Sequence, residues 1–96
     1  MDINDELVIE FPIDGILDLH TFNPREIKDL VPDYLAECRD RDITEVCIIH
    51  GKGTGTLRRT VHSILGRLPE VRDFTLLGND AGGWGATKVT LWPKTK

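Results

Sequence analysis

Ninety-six residues make one domain's worth of chain, enough for a single hydrophobic core and too few for two. With 40% hydrophobic and 29% charged residues the composition is that of a folded protein, and no apolar run approaches the roughly 20 residues of a membrane span. A formal net charge of −4 speaks against nucleic acid only as a sum, because residues 51–69 hold Lys52, Arg58, Arg59 and Arg67 and no acid, carrying +4 against −8 elsewhere. Such a basic segment on an acidic chain is compatible with a phosphate-bearing ligand. A solvated helix face that happens to be basic is the plainer alternative.

Residues 1–12 read as an acidic lead with a short strand at Leu7–Phe11, and 13–96 as a single domain. The start MDINDELVIE lacks the basic residues and apolar stretch of a signal peptide. Ile16–Leu19 is the first core strand. Asn23 as N-cap, Pro24 at the first helical position and Glu26 completing a capping box open a helix. Ile27, Leu30, Val31, Tyr34, Leu35 and Cys38 give it one apolar face, and Pro32 should kink it. Glu45–His50 has the continuous apolar character of a strand buried on both faces. The loop Gly51–Gly55 leads to a second helix, capped by Thr54 or Thr56, whose inner face is Leu57, Val61, Ile64, Leu65 and Leu68. Val71–Leu77 and Thr87–Trp92 are the last strands, joined by the glycine-dense segment 78–86.

The order β-α-β-α-β-β predicts an α/β domain, more narrowly an α+β two-layer sandwich. If the strands advance in one direction across the sheet, right-handed crossovers put both helices on the same face. His20, His50 and the loop 78–86 then meet at the carboxyl edge of the parallel strands, where open α/β sheets bind ligands. Cys38 and Cys47 read as buried free thiols of a reducing compartment, with no disulfide and no zinc site, so the expected location is the cytoplasm.

Three segments carry candidate chemistry. Asp18 and His20 share a face of an extended strand, and a carboxylate beside an imidazole raises its basicity. In His50-Gly51-Lys52-Gly53-Thr54-Gly55, alternating glycines let backbone N–H groups turn toward an anion at a helix start. Lys52, Arg58 and Arg59 add charge-assisted contacts. The loop has neither the Walker nor the dinucleotide spacing. Gly82-Gly83-Trp84-Gly85-Ala86-Thr87 implies positive φ or close backbone approach, with Trp84 placed to stack on a base. His62 reads as a structural or solvated flank of the second helix, and Trp92 as a cover for the sheet. Each segment alone also has a plain structural reading, from a local cap to a tight turn to a hairpin.

Together, LDLH (17–20), HGKG (50–53) and GGWGAT (82–87) resemble the Smr (small MutS-related) family over about Leu17–Leu91. Thr21 and Pro32 depart from its usual pattern. The resemblance implies a βαβαββ fold, a mixed four-stranded sheet with two helices on one face, similar to the C-terminal domain of translation initiation factor three. It also implies nucleic-acid binding (RNA or DNA) and, in many members, endonuclease activity. The family's LDxH residues fall on Asp18 and His20, its HGxG residues on His50, Gly51 and Gly53, and its GGxGxT residues on Gly82, Gly83, Gly85 and Thr87. The expected mechanism has Asp18 orienting His20, His20 and His50 sharing acid and base roles, and the 51–55 amides with Lys52 and Arg58 holding the phosphate. No cofactor is expected, although Asp18, His20 and His50 form a set able to hold one divalent ion. A non-catalytic binding module and a pocket for a small phosphorylated metabolite are the alternative readings.

Overall fold

The computed structural model describes residues 13–19, 22–51, 55–77 and 85–94; the expected strand at Leu7–Phe11 lies outside them. The elements follow the predicted order: β1 (Ile16–Asp18), α1 (Pro24–Asp40), β2 (Glu45–Ile49), α2 (Thr56–Arg67), β3 (Val71–Leu76) and β4 (Ala86–Leu91).

β1 and β2 pair in parallel, with Leu17 opposite Ile48, and β4 runs antiparallel to both β2 and β3. The spatial order is β1-β2-β4-β3. The strands therefore do not simply advance across the sheet. The crossover through α2 skips one position, and β4 returns into the gap as the partner of both neighbours. β1, β2 and β3 still point the same way, so their carboxyl ends share one edge.

One sheet face is covered. Leu17, Leu19, Val46, Ile48, Val89 and Leu91 are buried with Ile27, Val31, Leu35 and Cys38 of α1 and Val61, Ile64 and Leu65 of α2 in one cluster. The periodicity of the two helices supplies these faces. Asn23 caps α1 as expected: its side chain accepts from the Arg25 N–H, and Glu26 accepts from the Asn23 N–H. Pro32 sits inside α1 without ending it. The Tyr34 hydroxyl accepts from the Gly15 N–H at 3.1 Å and donates to the Ile16 carbonyl at 3.2 Å, tying α1 to the start of β1.

Three local expectations need correction. β2 is not buried on both faces: Val46 and Ile48 are buried, whereas Cys47 and Ile49 are half-buried on the side without helices. Cys47 is accordingly a half-buried thiol and Cys38 a fully buried one, both free. The second helix is capped by neither threonine. Its N-cap is Gly55 in a left-handed conformation (φ +90°), with no side-chain cap, and Thr56 is the first helical residue. Trp92, expected to cover the sheet, is 51% exposed, with the Arg72 guanidinium over its ring. Among the described residues no helix is long and apolar enough to cross a membrane.

Candidate functional site

Alternation along β2 sends His50, the residue after its last paired position, to the same side as Val46 and Ile48. It is 5% exposed, at the carboxyl edge of the sheet. The chain turns sharply there. The Gly85 carbonyl, just before β4, accepts from both the His50 N–H (2.8 Å) and the Gly51 N–H (2.9 Å). A Cβ on Gly85 would meet the Gly51 Cα at 3.2 Å. Of the two reasons expected for a glycine here, close backbone approach is the one that applies at Gly85. The second and third sequence motifs are thus clasped backbone to backbone.

The same juxtaposition builds a side-chain chain. Thr87 of β4, paired with Ile48, is fully buried. Its hydroxyl lies 2.8 Å from Nε2 of His50 and 2.8 Å from Nε2 of His62, which projects from α2. Nδ1 of His50 lies 3.1 Å from the Gly51 carbonyl oxygen. Burial pushes the His50 imidazole below its ordinary value near 6.5; the Gly51 carbonyl partly opposes this and the Arg58 cation adds to it. His62 is lowered by burial first, then by His50 and Arg58.

With both rings neutral, the bond directions follow from donor inventory. A carbonyl can only accept, so His50 carries its proton on Nδ1. Its Nε2 must then accept from Thr87, whose single hydroxyl proton is thereby used. His62 must donate from Nε2 to the Thr87 oxygen. The result is a directional chain from His62 through Thr87 and His50 to Gly51.

Beside His50 a cleft of about 260 Å³ is lined by Phe22, Pro24, Gly51, Gly55, Thr56, Leu57, Arg58 and Thr60. It lies where the N-terminus of α2, with the positive end of its dipole, meets the start of α1. The Arg58 and Arg59 guanidiniums fold back over Gly55: a Cβ there would meet Arg58 Nη2 at 3.1 Å and Arg59 Nη1 at 3.4 Å. Arg58 and the helix start therefore line one small concavity, with the Arg59 guanidinium close to Gly55 at its margin, an arrangement suited to an oxyanion.

Of the other expected site residues, Asp18 is exposed between buried Leu17 and Leu19. It projects from the face without helices, opposite to the His50 side chain. His20, Lys52, Gly53, Thr54, Gly82, Gly83 and Trp84 lie outside the described residues. Among the described residues no three His, Cys, Asp or Glu side chains come together in a way that could hold a metal ion. The expected set of Asp18, His20 and His50 includes one residue outside that description.

Sequence reasoning left His62 aside and gave Thr87 no chemical role. On a helical wheel His62 is a flank position, and its partner comes from a strand 25 residues later. Only the insertion of β4 beside β2 makes them neighbours. The Phe74 ring, 4.9 Å from that of His62, completes its packing.

The Smr domain model matches residues 17–92. Endonuclease MutS2 of Clostridium botulinum (strain Eklund 17B / Type B) is 37% identical over 87 residues, covering 90% of this chain and 11% of that protein. The chain thus spans about a tenth of the length of the curated relatives it matches. The crystal structure of the Smr domain of Thermus thermophilus MutS2 superposes with a TM-score of 0.77 at 32% identity, covering 83% of this chain and 100% of that one. YdaL, a stand-alone small MutS-related protein from Escherichia coli, gives 0.75 at 25% identity, over 88% of this chain and 69% of that one. A family match over residues 17–92, on a fold that superposes on the Smr domain of MutS2, makes this chain a member of the Smr domain family.

Proposed function

We propose that this domain binds nucleic acid, RNA or DNA, at the carboxyl edge of the sheet and cleaves its phosphodiester backbone. The observation that carries the reading is the cleft beside His50, lined by Arg58 and the first turn of α2, with Arg59 close to Gly55 at its margin. One backbone phosphate fits there, held by the 51–55 segment with Lys52 and Arg58, and its added charge in the transition state is stabilised by fixed cations and amides. His20, oriented by Asp18, shares the acid and base roles with His50, and Gly82, Gly83, Trp84 and Gly85 border the strand, with Trp84 stacking on a base. The name endonuclease carried by the MutS2 relatives supports the same chemistry.

The His50 geometry also favours a second reading, a binding module without cleavage. Both of its ring nitrogens are engaged inside the protein and only 5% of the residue is exposed, so a proton reaches substrate from it only after one of those bonds breaks.

End-labelled single- and double-stranded RNA and DNA, each with and without chelator, separate the two. Cleavage by the wild type that is lost in His20→Ala and His50→Ala supports the nuclease. Products from RNA with 2′,3′-cyclic phosphate and 5′-hydroxyl ends, made in the presence of chelator, indicate acid–base chemistry; a reaction stopped by chelator indicates a bound ion. Retarded but intact strands under every condition leave the binding module.

A further inference from the structure

Three concavities follow one another over the helical layer. The cleft beside His50 is bounded by Pro24, Arg58 and Thr60. A second, lined by Pro24, Arg25, Lys28 and Thr60, opens from it along α1. A third, lined by Lys28, Arg59, Thr60, Ser63, Ile64 and Arg67, continues between the two helices. Thr60 borders all three, and Pro24 and Lys28 each border two, so they form one groove.

Its walls carry Arg25, Lys28, Arg58, Arg59 and Arg67, and among the described residues no acidic side chain lines any of the three parts. The sequence explains the alignment. Arg25 and Lys28 are three residues apart on α1, and Arg59, Ser63 and Arg67 recur every four residues on α2, so each set lies along one side of its helix. Along the chain, the 51–69 segment reveals only the α2 half. The α1 half comes from a segment that also holds Glu26, Asp29 and Asp33, so its charge is concealed in the sum.

We infer that this groove is a track for the sugar-phosphate backbone of a nucleic-acid strand, extending away from the phosphate in the cleft and recognising several successive phosphates. The inference rests on the reading of the cleft as a phosphodiester site. Its length decides against a small phosphorylated metabolite. Arg59 and Arg67 are eight residues apart, about 12 Å along a helix rising 1.5 Å per residue. At roughly 3.4 Å per nucleotide along a stacked strand, that spans about three steps. Concavity and opposing basic walls suit a strand better than a flat anionic membrane surface. Contacts from these cations to successive phosphates fix the strand's position and carry no sequence information directly.

Fluorescence anisotropy with labelled RNA and DNA of two, six and twelve nucleotides tests it, using the wild type and the double variant Lys28→Glu/Arg67→Glu. The wild type should gain affinity with length, and the variant should lose at least tenfold of that gain. Its slope of log affinity against log salt on the twelve-mer should flatten by about 1.4, since each phosphate neutralised on a single strand adds about 0.7 to that slope. Lys28→Gln/Arg67→Gln should show a smaller loss in the same direction, which guards against a folding defect, as does an unchanged thermal transition. A wild type that gains with length and variants that gain equally would overturn the track while leaving the cleft intact. A wild type that binds no oligonucleotide overturns both. Tighter binding to vesicles of anionic lipid than to the twelve-mer would overturn the strand as occupant. If RNA and DNA bind alike the backbone alone is read, as inferred; a preference for one that both variants keep in full, together with their length gain, counts against the track.

Discussion

Thr87 places one hydroxyl between two imidazoles, and a buried acceptor or donor left without its partner costs about 1–3 kcal/mol. Thr87→Val keeps the shape and removes the hydroxyl, so it should destabilise the domain by about that amount in urea titrations, while Thr87→Ser should recover most of it. The same chain makes stability depend on pH. Both histidines are held below their ordinary value near 6.5, mainly by burial. As pH falls below that value the unfolded chain takes up protons before the folded one does, so folding is fully stabilised above it and weakens as pH drops toward the folded values. Urea midpoints measured from pH 8 to pH 5 should fall over that window. His62→Phe should lessen the fall, and an unchanged profile in that variant would count against a shared titration. How much of this was legible differs by residue. His50 stood out because it heads a glycine loop after an apolar strand. His62 did not, because its partner is specified by strand order and not by anything near it in the chain.

Glycine positions dominate at the level of elements. Gly85 has no need of a positive φ; it is required because its Cβ would strike the Gly51 backbone, which cannot swing aside as a side chain would. Gly85→Ala should therefore separate the start of β4 from the turn after β2 and weaken the two hydrogen bonds its carbonyl accepts. A loss of about 2 kcal/mol or more, with amide shifts at His50, Gly51 and Thr87, is the expected result, against about 0.5–1 kcal/mol of gain if the position were open. The α1 start was legible from Asn23 and Glu26, whose side chains make the cap. The α2 start was not, since a left-handed Gly55 caps by backbone shape and two neighbouring threonines offered a more familiar signal. β2 misled in another way: an apolar run looks the same whether one face or two are covered, and here the second layer is missing.

For the molecule as a whole, the order of elements was readable and the order of strands was not. Local periodicity identifies helices and strands, but which neighbour β4 takes depends on pairings far apart in sequence. The charge pattern shows the same divide. A basic segment was visible along the chain, whereas its counterpart on α1 became basic only once folding turned Asp29 and Asp33 away from the groove lining.

The insertion of β4 between β2 and β3 has a consequence for the time at which the protein exists as a folded object. During synthesis both histidines, the arginines and both helices are made before Ala86, yet β3 has no neighbour until β4 arrives. Without β4, only β1 and β2 can pair as they do in the final sheet, and β3 is left without its strand partner. Long-range closure of this kind sets folding rates and favours all-or-none assembly. A chain ending at Leu77 should therefore show no cooperative unfolding transition by far-ultraviolet circular dichroism, and adding residues 78–96 as a separate peptide should restore one if pairing is all that is missing. A cooperative transition in the shortened chain alone would contradict this. Since Thr87 rides on the same strand, the pairing that finishes the fold is also the step that first brings His50 and His62 into contact through one hydroxyl.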